Sequence, residues 1–252
     1  MSRLLMIVLT CLVTISCATG PSDNLGQEGE SPADIYVQLG VGYMQRGNNA
    51  IALDELKKGI EVDPRSSSAH GIIAVLYERL GERDQAEYHY KRSLSLDSDS
   101  MRANNNYGRF LCMNGQFSEA EKHFEIAYGN PLNRKKWMVL TNAGDCYLKA
   151  GNPGKAETLF RQALEANPHF SEALLSMAEI SFAKENFLST RAYLQRFREV
   201  SQHTPESLWI GIQNEHELGE EDAVASYVLI LHSKFPDSKE VMLLEEKFPE
   251  YR

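Results

Sequence analysis

Glycine returns along this chain at positions 47, 81, 115, 151 and 219, and Glu185 stands where one more would fall, so the spacing reads 34, 34, 36, 34 and 34. Alanine follows the first four of these glycines five residues later, at 52, 86, 120 and 156. A repeat of this length is one supersecondary unit. It cannot bury its apolar face alone, so neighbours must stack into a continuous array. That regularity removes most of the folds otherwise open to a chain of 252 residues.

The first block, ADIYVQLGVGYMQRGNNAIALDELKKGIEVDPRS, shows what the unit is. Tyr36, Leu39, Gly40, Tyr43, Ala52, Leu56, Gly59 and Pro64 fall at repeat positions 4, 7, 8, 11, 20, 24, 27 and 32, the tetratricopeptide (TPR) pattern. Positions 8 and 20 must be small where helix A and helix B of a hairpin cross. Larger apolar residues fill the space around them, and proline at 32 stops helix B. Glycine at position 15 suits the left-handed residue that ends helix A. Later blocks keep the pattern to different degrees: Ala74, Ala86 and Tyr90 in the second, Gly108, Ala120 and Phe124 in the third, Gly144, Ala156 and Phe160 in the fourth. The third block exits through YGNPLNRKK, two residues longer than the others. The fifth puts Thr190 at position 20, and the sixth has Gly211 and Ile212 at 7 and 8. The reading is an all-α, right-handed superhelix of about six hairpins over 33–236 (33–66, 67–100, 101–136, 137–170, 171–204 and 205–236). An amphipathic capping helix over 237–252 closes it.

The N-terminus carries a different message. Arg3 and an apolar run from Leu4 to Ile15 have the length of a signal peptide, too short to span a bilayer. The run ends on Thr14-Ile15-Ser16-Cys17, which resembles the lipobox of bacterial lipoproteins, with Thr14 in place of the usual aliphatic residue. The expectation is a lipoprotein signal peptide over 1–16 and acylation of Cys17; the alternative is a plain secreted chain with a free thiol there. Ala18 follows Cys17, and in the lipoproteins this resembles that implies export to the outer membrane. From 17 to 32 the chain is rich in Pro, Gly, Ser and acid and reads as a tether.

Net charge is −9, from 35 acidic against 26 basic side chains, and no Lys/Arg block overrides it, which argues against nucleic acid as a partner. Nothing in the sequence supports catalysis, a cofactor or a metal site. Gly40-Val41-Gly42 lacks the third glycine and the preceding strand of a dinucleotide fingerprint. Asn214-Glu215-His216-Glu217 lacks the second histidine of a zinc-protease helix. His89 and His123 share position 23, beside the packed 24, and are expected to face outward as a surface stripe. Cys112 and Cys146, at positions 12 and 10 of neighbouring A helices, could face each other. A disulfide and two separate buried thiols both remain open, and the absence of C-x-x-C argues against a redox role.

In such arrays the concave wall is lined by helix A positions 2, 5, 9, 12 and 13. In the first block these include Val37, Val41, Met44 and Gln45, and in the third Arg102, Asn105 and Arg109. The expectation is an apolar groove at the N-terminal end that grades into a polar, partly basic wall and takes an amphipathic peptide.

The lipobox, the tether, Leu39-Gly40-x-Gly42-Tyr43, Gln45-Arg46-Gly47 and Asn105-Asn106-Tyr107-Gly108 together resemble the type IV pilus biogenesis and stability lipoproteins, the PilF/PilW family, over essentially the whole chain. The resemblance implies a non-enzymatic, pilotin-like outer-membrane lipoprotein, lipid-anchored and facing the periplasm. It further implies that the protein helps the secretin PilQ reach the outer membrane and multimerise. Other pilus assembly proteins are implied as partners, and a cysteine pair in neighbouring repeats is similar to that of some members. A generic outer-membrane TPR scaffold for envelope or cell-wall assembly is the alternative.

Overall fold

The computed structural model describes residues 31–251, and everything described is helix or connecting turn. Cys17, the signal segment and all of the tether but its last residues lie outside them. The chain forms α1 (Pro32–Gln45), α2 (Asn49–Val62), α3 (Ser67–Arg79), α4 (Arg83–Leu96), α5 (Met101–Met113), α6 (Phe117–Gly129), α7 (Lys136–Lys149), α8 (Pro153–Ala166), α9 (Ser171–Ala183), α10 (Phe187–Val200), α11 (Pro205–Glu217), α12 (Glu221–Lys234) and α13 (Lys239–Lys247). A single 3-10 turn, Pro249–Tyr251, follows. Odd-numbered helices from α1 to α11 are the A helices and even-numbered ones from α2 to α12 the B helices of six hairpins.

Local chemistry starts and stops these helices. Ser31 Oγ accepts from the Asp34 N–H at 3.2 Å while Asp34 Oδ2 accepts from the Ser31 N–H at 3.1 Å, a reciprocal cap that opens α1. At the end of every A helix one residue turns left-handed: five glycines at φ +74 to +79°, and Glu185 at φ 57°. A side chain there costs roughly 1 kcal/mol, so the fifth hairpin carries a local strain that the others avoid.

Each hairpin crosses where the sequence places its small residue. A Cβ on Gly40 would stand 2.6 Å from Leu56 Cγ, one on Gly108 3.0 Å from the Phe124 ring, and one on Gly144 2.5 Å from the Phe160 ring. The sixth hairpin is shifted by one position. There Gly211 at position 7 takes the close approach, against Tyr227 at position 23.

Buried side chains gather into a long central core through hairpins 2 to 5, with Tyr90, Phe124, Phe160, Leu174 and Met177 at its heart. A smaller cluster joins hairpins 1 and 2, and another joins hairpin 6 to α13 through Leu208, Leu231, Leu244 and Phe248. The longer exit of the third hairpin is organised by its asparagines. Asn133 Nδ2 donates to the Ala127 carbonyl at 2.8 Å, and Asn130 Oδ1 accepts from the Leu132 N–H at 2.9 Å. Cys112 of α5 and Cys146 of α7 are joined as a disulfide with their Cα atoms 5.7 Å apart.

His89 and His123 are not the outward stripe that position 23 suggested. Each turns into its own hairpin and meets position 4 of helix A, His89 Nδ1 at 2.8 Å from His70 Nδ1 and His123 Nδ1 at 2.8 Å from Asn104 Oδ1. The ring of His89 also stacks between those of His70 and Tyr77. An imidazole is flat and half apolar, so the interhelical gap accepts it readily.

Candidate protein-binding wall

Every A helix except the last packs on the A helix of the next hairpin, and successive B helices make no such layer. The closely approached layer is the inner one of a curved stack, so the A helices form its concave wall. Positions 2 and 9, two turns of helix apart, project into that curve in hairpins 3 to 5, while position 5 lies towards the neighbouring A helix.

The apolar groove expected at the N-terminal end does not form. Val37 and Met44 are each only 6% exposed and pack with Leu56, Ile73 and Leu76 as the first core. Their face of α1 is the one that α3 covers, and burial there outweighs exposure to a partner. Val41 is half-buried, while Gln45 is exposed. The exposed apolar side chains of this hairpin are Ile35, Leu39, Ile51 and Val62, on the faces where no preceding hairpin covers them among the described residues.

The third hairpin does present its polar residues. Arg102 and Arg109 are exposed, and Asn105 Oδ1 accepts from Asn142 Nδ2 at 2.8 Å, a bond that links the walls of hairpins 3 and 4. Near it, Arg109, Met113, Asp145 and Lys149 line a hollow of about 130 Å³ over the disulfide. A larger hollow of about 460 Å³ lies between α3 and α5, lined by Ser68, Gly71, Ile72, Asp97, Asp99 and Arg102 among others.

Beyond hairpin 3 the wall turns acidic. Asp145, Glu172 and Glu179 are exposed, and Glu206 follows in α11. Although Asp145 keeps exposed surface, the protein packed around its carboxyl partly dehydrates it and pushes it up to about 6, with Lys149 opposing and Glu172 adding to the rise. Glu179 is also raised, by burial first and then by Asp145 and Glu206. These carboxylates were missed in the sequence, although the signal was there. They occupy positions 9, 2, 9 and 2 of the fourth to sixth blocks, the same register that had picked out Arg102 and Arg109.

No group of three or more His, Cys, Asp or Glu among the described residues is arranged to hold a metal ion. No described helix is long and apolar enough to cross a membrane.

Two family models, each described as tetratricopeptide repeat, match the chain, one over residues 37–100 and 141–202 and the other over 99–168. Along its length the chain is 31% identical over 241 residues to the type IV pilus assembly protein PilF of Pseudomonas aeruginosa, covering 94% of this chain and 96% of that one. The chain belongs to the PilF/PilW family of TPR proteins. A solved structure of P. aeruginosa PilF superposes with a TM-score of 0.77, covering 85% of this chain and 97% of that one. PilW, described as a widely conserved type IV pilus biogenesis factor, superposes at 0.76 with 27% identity, covering 84% and 97%. Membership makes the chain a TPR protein-binding scaffold related to pilus assembly proteins.

Proposed function

We propose that this protein is an outer-membrane lipoprotein of type IV pilus biogenesis. In this reading it acts as a pilotin-like factor that helps the secretin PilQ reach the outer membrane and multimerise. The similarity to PilF over nearly the full length of both chains carries the reading. Acylation of Cys17 supplies the anchor. Each buried acyl CH₂ contributes about 0.8 kcal/mol, so several chains hold the repeat array at a membrane surface. A secretin subunit caught on the A-helix wall then meets its neighbours at raised local concentration. The periplasm, to which this reading assigns the chain, is oxidising enough to keep the Cys112–Cys146 disulfide formed.

The test compares secretin multimers in membrane fractions of cells with and without this protein. The expected result is loss of heat-stable multimers and of surface pili on deletion, with recovery when the gene is restored and no recovery with Cys17→Ser. Normal multimers in the deletion strain would refute the secretin role and favour a general envelope scaffold. Mass spectrometry of the mature N-terminus checks the anchor independently.

A further inference from the structure

Exposed carboxylates gather on the inner wall of hairpins 4 to 6, where Asp145, Glu172, Glu179 and Glu206 recur in one register. Some carboxylates away from the inner wall are ion-paired: Glu55 with Lys58 at 2.7 Å, Glu87 with Lys91 at 2.6 Å, Glu121 with Lys155 at 3.2 Å, and Glu157 with both Arg161 and Lys184. On the inner wall they are not. Arg102, Arg109, Asp145, Glu179 and Glu206 make no hydrogen bond or ion pair among the described residues, and Glu172 accepts one only from Ser171 Oγ at 2.8 Å. Of the nearby cations, Lys184 is held by Glu157, and Lys149, whose Nζ rests 2.8 Å from the Met113 sulfur, makes no ion pair with Asp145 although its charge favours the Asp145 carboxylate.

The signs are also segregated. Both arginines stand on hairpin 3, and all four carboxylates stand on hairpins 4 to 6. The Asn105–Asn142 bond lies at the boundary. Beside Glu179 opens a hollow of about 320 Å³ walled by Leu148, Pro153, Ile180 and Ala183, large enough for one aliphatic side chain. Like charges held together and partly dehydrated raise the energy of the free wall even with Lys149 beside Asp145, and a cation brought by a partner reverses that term. An acidic half this close to the arginines also repels a phosphate backbone.

We propose that the wall of hairpins 4 to 6 docks a polypeptide segment of the partner that carries lysine or arginine beside an aliphatic residue, with an acidic group of the same segment directed to Arg102 and Arg109. The inference rests on the A-helix wall being the partner-binding face, as in the function proposed above. Complementary charge sets the register of the segment along the wall, because sliding by one hairpin would bring like charges together.

The experiment uses the mature full-length chain and three fluorescein-labelled peptides of 14 residues. One has an acidic block followed by a Lys/Leu block, one has the same composition with charges alternating, and one has every Lys replaced by Glu. The block peptide is expected to bind at least tenfold tighter than the alternating one, to lose at least tenfold on Asp145→Lys/Glu179→Lys, and to weaken steeply between 50 and 500 mM salt. Asp145→Asn/Glu179→Gln removes the charge with little change of shape and should lose part of the affinity, which separates charge from misfolding. No binding of the block peptide, equal binding of the alternating one, or indifference to both double variants overturns the proposal. In cells, Asp145→Lys/Glu179→Lys should reduce secretin multimers as the deletion does. Normal multimers with that variant, alongside lost multimers in the deletion, would overturn the charged docking mode and leave the pilus function standing.

Discussion

Hairpins 3 and 4 each close on a consensus crossing, Gly108 on the Phe124 ring and Gly144 on the Phe160 ring, and they meet through a shared core and a disulfide between their A helices. Hairpins 5 and 6 meet through something quite different. There Arg191 of α10 clasps the carboxylate of Glu215 on α11, which is only 4% exposed, and a small cluster of Ala178, Leu194 and Ile210 fills the gap. The first pair keeps the repeat's consensus chemistry, the second has replaced it with a charged clasp, and the helices stack in both. What the topology requires is therefore only that each A helix be covered by the next hairpin. Shape can satisfy this, and so can charge, with different sensitivities to mutation, reduction and acid.

Those sensitivities give ways to break the comparison. Phe160→Ala should destabilise the array most, by about 3–5 kcal/mol, because it empties a ring-sized space against Gly144 that the neighbouring helices cannot close. Leu194→Ala at the same position of hairpin 5 should cost less, about 2–3 kcal/mol. Equal losses in chemical denaturation would show that the crossings within hairpins 4 and 5 are packed alike.

Opening the disulfide by Cys112→Ser/Cys146→Ser should lower stability by about 3–4 kcal/mol, the loop-entropy value for cysteines 34 residues apart. The mutant should lose protection from hydrogen exchange first around residues 101–149. Hairpins 5 and 6 should respond instead to Glu215→Gln, which leaves Arg191 only the exposed carboxylate of Glu220, 3.4 Å away, at a loss of about 1–3 kcal/mol. Replacing both members with apolar residues of similar size should restore much of it. If the double replacement is worse than the single one, the clasp contributes more than packing can.

Acid separates hairpin 2 from hairpin 3. In the His70–His89 pair one Nδ1 must accept a hydrogen bond, so both rings cannot be charged, and burial followed by the charge of His70 pushes His89 down to about 4. His123 is lowered too, chiefly by burial, but its Nδ1–H donates to Asn104 Oδ1 and keeps that bond when charged. The unfolded chain takes up protons near pH 6.5 that the folded pair refuses, so stability present above pH 6.5 is lost as pH falls from there towards 4. His70→Asn copies hairpin 3 into hairpin 2, and melting curves should then show a smaller drop over that window. The smallest effect belongs to Glu185→Gly, which should raise stability by about 0.5–1 kcal/mol by relieving the left-handed turn that the other hairpins give to glycine.

Much of the architecture could be read in advance because its signals are local. Gly144 and Phe160 are sixteen residues apart in one hairpin, and their contact follows from a crossing that every block repeats. The extra exit residues of the third block also announced themselves as a broken spacing. The inner wall was harder to read. Register alone places Arg102 and Arg109, but Asp145, Glu172, Glu179 and Glu206 in the same register share a sign that matters only once their three helices lie side by side. Val37 and Met44 misled for a related reason. Their positions, 5 and 12, lie at the contact between successive A helices, and Gly71, Cys112 and Thr141 are buried at the same positions of later hairpins.

By itself, then, the sequence determined the unit: its length, its helix ends, the small residues at its crossings and the family to which it belongs. These are consequences of backbone geometry and of contacts within some thirty residues of chain. Tertiary structure alone decided how each unit turns against the next. It sent Val37 and Met44 inward, turned His89 onto His70 and brought Cys112 to Cys146, and it left one sign of charge unpaired along the hairpin 4–6 wall. A rotation of one helix by a single residue, about 100°, carries a side chain from core to solvent at almost no change in local preference, so only the packing of neighbours can choose.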